Sequence, residues 1–114
     1  MPFIETKTSV KITPEQEKEL KERLGQAISL IPGKSESWLM LNFEDNCRMY
    51  FRGDNSDPIA FVDIRMFGNP NRAAFDKMTT EVTNIFGEVL HISSDHMYIR
   101  YMATTDWGWS GSNF

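Results

Sequence analysis

The sequence predicts an α/β fold in which two similar β-α-β units form one sheet with two helices on one face. Three observations carry this. Segments of strand character and of helical spacing follow one another in the order strand, helix, strand, and then repeat. Ser35-Glu36-Ser37-Trp38-Leu39-Met40 is echoed by Ser94-Asp95-His96-Met97-Tyr98-Ile99 at a constant offset of 59 residues. Parallel strands joined through a helix take right-handed crossovers, which put both helices on the same side of the sheet. A chain of 114 residues has the length of one domain. It buries roughly 65% of its unfolded surface, enough for one core without staples.

The elements follow in order. Phe3 to Val10, rich in β-branched residues, reads as the first strand. Thr13-Pro14-Glu15-Gln16 opens a helix: Thr13 caps, Pro14 suits the first helical position and Gln16 completes a capping box. Leu20, Leu24, Ala27, Ile28 and Ile31 form its apolar stripe. Opposite lies a charged face, with Glu17–Lys21 and Glu19–Arg23 at i,i+4, read as solvated. Pro32-Gly33 stops the helix, Ser37 to Phe43 is an apolar strand, and Glu44-Asp45-Asn46 turns the chain. Met49 to Arg52 reads as a short strand, and Gly53 to Pro58 as a turn without the spacing of a calcium loop. Ile59 to Phe67 is the longest strand. Asn69-Pro70-Asn71 starts a second helix carrying Phe75, Met78, Val82, Ile85 and Phe86, closed by Gly87. Met97 to Met102 is the last strand, and Trp107, Trp109 and Phe114 lie in a tail of glycines and serines.

Strand alternation puts Leu39, Leu41 and Phe43 on one sheet face and Trp38 and Met40 on the other. It likewise separates Met97, Ile99 and Tyr101 from Tyr98, Arg100 and Met102. Two helices cover only one face, and the remainder is too apolar and aromatic for water, so an oligomer with sheets buried against each other is expected.

Composition excludes several classes. The net charge of -4 argues against nucleic acid, which requires a positive footprint. No apolar run reaches the ~20 residues of a membrane span, and Met1-Pro2-Phe3-Ile4-Glu5 lacks the basic region of a signal peptide. With Cys47 as the single cysteine, neither an internal disulfide nor a cysteine zinc site is expected. The cytoplasm is the expected compartment, and any secretion would be leaderless. His91 and His96 lack neighbouring cysteines and read as surface or loop histidines, and no metal is expected. Neither a glycine-rich phosphate loop nor a G-x-S-x-G elbow is present.

The amino terminus remains. Pro2 follows Met1 directly, and a small second residue permits methionine removal, leaving residues 2–114 with a secondary amine at the start. Such an amine is a general base when burial or a nearby cation pushes its pKa toward neutrality. On the residues alone, Lys34 reads as a helix-end lysine favoured by the macrodipole. Trp38, Phe67, Tyr98 and Phe114 equally read as packing residues, and Trp109 as an interface anchor.

Pro2-Phe3-Ile4, Gly33-Lys34, Ser94-Asp95-His96-Met97-Tyr98-Ile99 and Trp107-Gly108-Trp109 followed by Phe114 resemble, in matching order, the macrophage migration inhibitory factor and D-dopachrome tautomerase family. The resemblance implies a tautomerase-like fold assembled as a homotrimer, with sites between neighbouring subunits. It implies Pro2 as the base, and Lys34 as carboxylate ligand and as the charge that lowers the proline pKa. The Phe67 N–H would hold the substrate carboxylate, Trp38, Trp109 and Phe114 would wall the pocket, and Tyr98 and Arg100 would come from the neighbour. The family carries asparagine or arginine at the position of Arg100. Against the family pattern, Trp107 replaces an aliphatic residue and Phe67 an isoleucine, and both are expected to narrow the pocket. Ile59-Ala60-Phe61 stands where some members have Cys-x-x-Cys, so no thiol–disulfide activity is implied.

The expected function is therefore keto–enol tautomerisation of a phenylpyruvate-like 2-keto acid, without cofactor. The alternatives are another proline-based reaction on this scaffold (decarboxylation, hydration or dehalogenation) or a cytokine-like signalling protein that contacts a receptor and has a vestigial pocket.

Overall fold

A computed structural model describes residues 1–114 and arranges the two strand–helix–strand units side by side. In the first, β1 (Pro2–Thr8) passes through α1 (Pro14–Ala27) into β2 (Met40–Glu44), and the two strands pair in parallel. In the second, β3 (Ala60–Phe67), α2 (Arg72–Leu90) and β4 (Met97–Thr104) repeat that plan, again with a parallel pair. An antiparallel β1–β3 pairing joins the units into one sheet of order β2-β1-β3-β4.

Local chemistry sets the helix starts. The Thr13 hydroxyl accepts from the Gln16 N–H at 3.2 Å while the Gln16 side chain accepts from the Thr13 N–H at 3.0 Å. At α2 the Asn71 side chain accepts from the Ala74 N–H at 3.1 Å. Each cap satisfies donors that the first helical turn leaves unpaired, worth about 1 kcal/mol. The helices then lay Leu20, Leu24, Met78, Ile85 and Phe86 on Ile4, Val62 and Ile64, all fully buried. Each such side chain contributes about 1.5–3 kcal/mol. No helix is long and apolar enough to cross a membrane.

Four expectations about elements need correction. β1 ends at Thr8, where the chain turns off the sheet with the Thr8 hydroxyl donating to the Ile59 carbonyl at 3.0 Å. The segment expected as a strand from Ser37 begins with a helical turn, Glu36–Trp38, and becomes strand only at Met40. Met49 to Arg52 is not a strand. Phe51 and Asp54 bond each other across a tight turn in which Arg52 and Gly53 both have positive φ, so the residues pair locally instead of with the sheet. The second helix does not stop at Gly87 but runs to Leu90 and caps on left-handed His91. Glycine inside a helix costs about 1 kcal/mol; here Val89 and Leu90, both buried, offset it. The tail, in which the sequence predicts no element, carries β5 (Gly108–Trp109) and β6 (Ser112–Asn113), a hairpin about Ser110 and Gly111, both at positive φ.

The open sheet face also differs from expectation. Its rim is apolar, with Met40, Tyr98 and Met102 exposed, but its centre is charged. Asp63, almost fully buried, accepts from Arg65 at 2.9 Å and from Arg100 at 3.1 Å, and Arg65 also reaches Glu5 at 3.1 Å. Burial pushes the Asp63 carboxyl up, but the two guanidinium groups outweigh it and hold it below the ordinary range.

Candidate active site

The antiparallel β1–β3 pairing brings the start of one strand beside the end of the other, with Pro2 opposite Met66. The ladder continues one residue further: the Phe67 N–H donates to the Met1 carbonyl at 3.2 Å. Lys34 arrives from the loop after α1. Gly33 adopts φ +82, which glycine takes without steric cost, and the Lys34 N–H closes the turn on the Ile31 carbonyl at 3.1 Å. Its ammonium donates to the Phe67 carbonyl at 2.5 Å and lies 5.9 Å from the centre of the Phe67 ring. The Phe67 backbone therefore gathers two groups: its N–H faces the Met1 carbonyl, while its C=O holds Lys34.

Aromatic rings wall this corner. The helical turn at Glu36–Trp38 sets the Trp38 ring edge-on to Trp109 at 5.2 Å, and the β5–β6 hairpin carries Trp109 there. Phe114 meets Phe67 at 5.1 Å, its N–H donating to the Trp107 carbonyl at 3.1 Å. Beside the Trp38–Trp109 pair lies a hollow of about 520 Å³, lined by Met1, Pro2, Phe3, Trp38, Met40 and Trp109 among others, while Lys34, Phe67 and Phe114 stand outside its lining. Trp109 thus finds the packing partner that its residue type demands.

The electrostatics of this corner disfavour a protonated amine. Burial, then the charge of Lys34, then a hydrogen bond from Lys34 hold the Met1 amine below the ordinary range for an amino terminus. Pro2, acylated by Met1, has no basic nitrogen in this chain. Its nitrogen shares a carbonyl carbon with the Met1 oxygen, so standard bond lengths put the two atoms within roughly 2.6 Å. An oxygen seated on the Phe67 N–H is therefore a near neighbour of the Pro2 nitrogen.

Six of the eight residues singled out from the sequence meet here: Pro2, Lys34, Phe67, Trp38, Trp109 and Phe114. Tyr98 and Arg100 do not. Tyr98 packs edge-on against Phe51 at 5.5 Å, and Arg100 pairs with Asp63, whose register partner is Glu5, three residues along β1 from Pro2. Within one chain they form a separate corner. Sequence reasoning missed Phe3 and Met40, which register side by side across the parallel β1–β2 pair at the pocket floor. It also missed Asp63, Arg65 and Glu5 as the holders of Arg100; the opposite charges at i and i+2 on one strand face were the available signal. His91 caps α2, and His96 contacts Asp95 at 2.8 Å and the Phe51 ring at 5.3 Å, both away from the hollow.

Paired β-α-β units under two helices, with a proline at a strand start beside a lysine and aromatic walls, define a small α/β protein of the tautomerase class. The family described as macrophage migration inhibitory factor matches residues 1–114, and the chain belongs to it. It is 31% identical to the mouse macrophage migration inhibitory factor over 98 residues, which cover 84% of this chain and 81% of the mouse protein. The crystal structure of Leishmania major MIF2 superposes with a TM-score of 0.91 at 27% identity, covering 100% of this chain and 97% of that one. A macrophage migration inhibitory factor-like protein of Entamoeba histolytica shares the fold at TM-score 0.87 and 20% identity, covering 99% of this chain and 98% of that one.

Proposed function

We propose that the chain, once Met1 is removed, is a keto–enol tautomerase of phenylpyruvate-like 2-keto acids with Pro2 as general base. The observation that carries this is the convergence at Phe67. The Phe67 backbone faces both an oxygen acceptor attached to Pro2 and the Lys34 ammonium, and Pro2 itself lines an aromatic hollow. In the reading proposed, the substrate carboxylate takes the Phe67 N–H and Lys34, and its ring lies against Trp38, Trp109 and Phe114. The free Pro2 amine removes a proton from the carbon beside the ketone. The C–H electron pair becomes the C=C bond, the carbonyl π pair moves to oxygen, and the proton is returned there; the reverse reaction uses the same groups. Fixed donors at the carboxylate and exclusion of water by the rings favour this step.

Tyr98 and Arg100 enter the site from a neighbouring copy in a homotrimer, which also covers the apolar rim of the open sheet face. The test is ultraviolet-monitored enol–keto interconversion of phenylpyruvate by protein whose mass verifies Met1 loss, beside Pro2→Gly. A loss of at least 100-fold on substitution is expected, and equal rates overturn the reading. Preferred turnover of haloacrylates or malonate semialdehyde would replace the reaction while keeping the amine.

A further inference from the structure

The geometry points to Met1 as an internal ligand: while retained, it occupies the carboxylate subsite formed by the Phe67 N–H, so its removal both frees the Pro2 amine and empties that subsite. This rests on the carboxylate-binding role proposed above. Two observations carry it. Met1 lies outside β1, yet its carbonyl extends the β1–β3 ladder by one bond onto the Phe67 N–H at 3.2 Å. That places an oxygen acceptor on the donor assigned to the substrate. Met1 also lines the hollow together with Pro2, Trp38 and Trp107, so the residue takes up space that the substrate needs. The Lys34 ammonium, held on the Phe67 carbonyl, is left facing an amine instead of a carboxylate. A backbone carbonyl tethered beside its donor has a high effective concentration, so a free carboxylate of ordinary affinity competes poorly. Acylation of Pro2 alone predicts lost chemistry with normal binding; occupation of the subsite predicts lost binding as well.

The experiment separates these. Cinnamate, which carries the aromatic ring and carboxylate but does not tautomerise, is titrated calorimetrically at pH 8 against Met1-free protein and against Met1-retaining protein made with methionine excision blocked. 3-Phenylpropanol, which has no carboxylate, is the second probe. Semisynthetic protein bearing N-formyl-Pro2 keeps only the carbonyl of Met1, and N-methyl-Pro2 keeps none of it. Cinnamate affinity should fall at least tenfold in the Met1-retaining and N-formyl forms and stay within twofold of the free protein in the N-methyl form. Phe67 amide exchange should be slow in the two carbonyl-bearing forms without ligand. In the other two it should be at least tenfold faster until cinnamate is added.

Equal cinnamate affinity in Met1-free and Met1-retaining protein overturns the inference and leaves the carboxylate site standing. Equal Phe67 exchange in all four forms also overturns it. If cinnamate binds Met1-free protein no better than 3-phenylpropanol does, the carboxylate site itself fails, and the inference with it. Unchanged far-ultraviolet dichroism across the forms shows that the fold is common to them.

Discussion

Removing the charge of Lys34 should move the rising limb of the kcat/KM–pH profile to higher pH. Only the neutral Pro2 amine accepts a proton, so turnover rises as pH passes through its pKa. The Lys34 cation disfavours a second positive charge nearby, and burial acts in the same direction; both already hold the Met1 amine down at this corner. Two unit charges ~6 Å apart interact by about 2.8 kcal/mol at an effective dielectric of 20 and about 0.7 kcal/mol in bulk water. At about 1.4 kcal/mol per pKa unit, a half-exposed pocket between these limits yields a shift of about one unit. The sign is fixed: without the cation the protonated amine is easier to keep, its pKa rises, and the limb moves up. Lys34→Ala, assayed on phenylpyruvate across pH 5 to 9 with Met1-free protein, is the measurement, with Lys34→Arg as the charge-keeping control. KM should also rise in Lys34→Ala, because the carboxylate ligand proposed above is lost, but the position of the limb reads the field alone. A limb that stays in place or moves to lower pH in Lys34→Ala refutes the electrostatic reasoning.

Three further predictions concern the rest of the molecule. Light scattering of micromolar protein should give the mass of a trimer, and a stable monomer would remove the source proposed for Tyr98 and Arg100. Arg100→Asn should raise activity on a hydroxylated aromatic keto acid relative to an acidic one, and an unchanged ranking would put Arg100 outside the pocket. Asp63→Asn should cost about 1–3 kcal/mol in urea unfolding at pH 7, since it leaves two guanidinium groups without their buried partner. Because Asp63 is held below its unfolded value of about 3.9, its contribution is complete above that pH and is lost as pH falls through the lower folded value. The gap between wild type and variant should therefore be constant from pH 5 to 8 and close below about pH 4; a gap that persists there refutes the charge argument.

The fold was largely legible because the signals behind it are local. The Thr13–Gln16 capping box and the spacing of Leu20, Leu24, Met78 and Ile85 depend on neighbours three or four residues apart, and the structure uses all of them. The errors fell where composition or a single stop residue does not decide the element. Gly87 reads as a stop when its own turn is considered, yet the helix continues because Val89 and Leu90 reach the core. Ile92 returns close enough that a Cβ on Gly87 would meet its carbonyl at 3.5 Å. Met49 to Arg52 has strand composition, but the Phe51–Asp54 turn consumes the hydrogen bonds a strand would offer its neighbour. The tail hairpin is two residues per strand and rests on two positive φ angles and on Trp38, which lies 71 residues away in sequence from Trp109.

The site was legible for a different reason, and only in part. Pro2, Lys34 and Phe67 carry no pattern that periodicity detects; the order of short family motifs singled them out, and the antiparallel register explains why they meet. Pairing Pro2 with Met66 leaves the Phe67 peptide just beyond the end of β1, and an α1–β2 loop of fixed length delivers Lys34 to its carbonyl. The same sheet explains why Arg100 stands apart from this corner. The parallel β3–β4 register sets Arg100 against Asp63, and the antiparallel β1–β3 register sets Asp63 against Glu5. Arg100 therefore lies two strands across and three residues along from Pro2, a distance no side chain closes. Its guanidinium is half exposed and anchored on one side by a buried carboxylate, which fixes its direction without consuming all its donors. An arginine held in that way is suited to a partner's pocket, because the cost of ordering it is met within its own chain before the partner arrives.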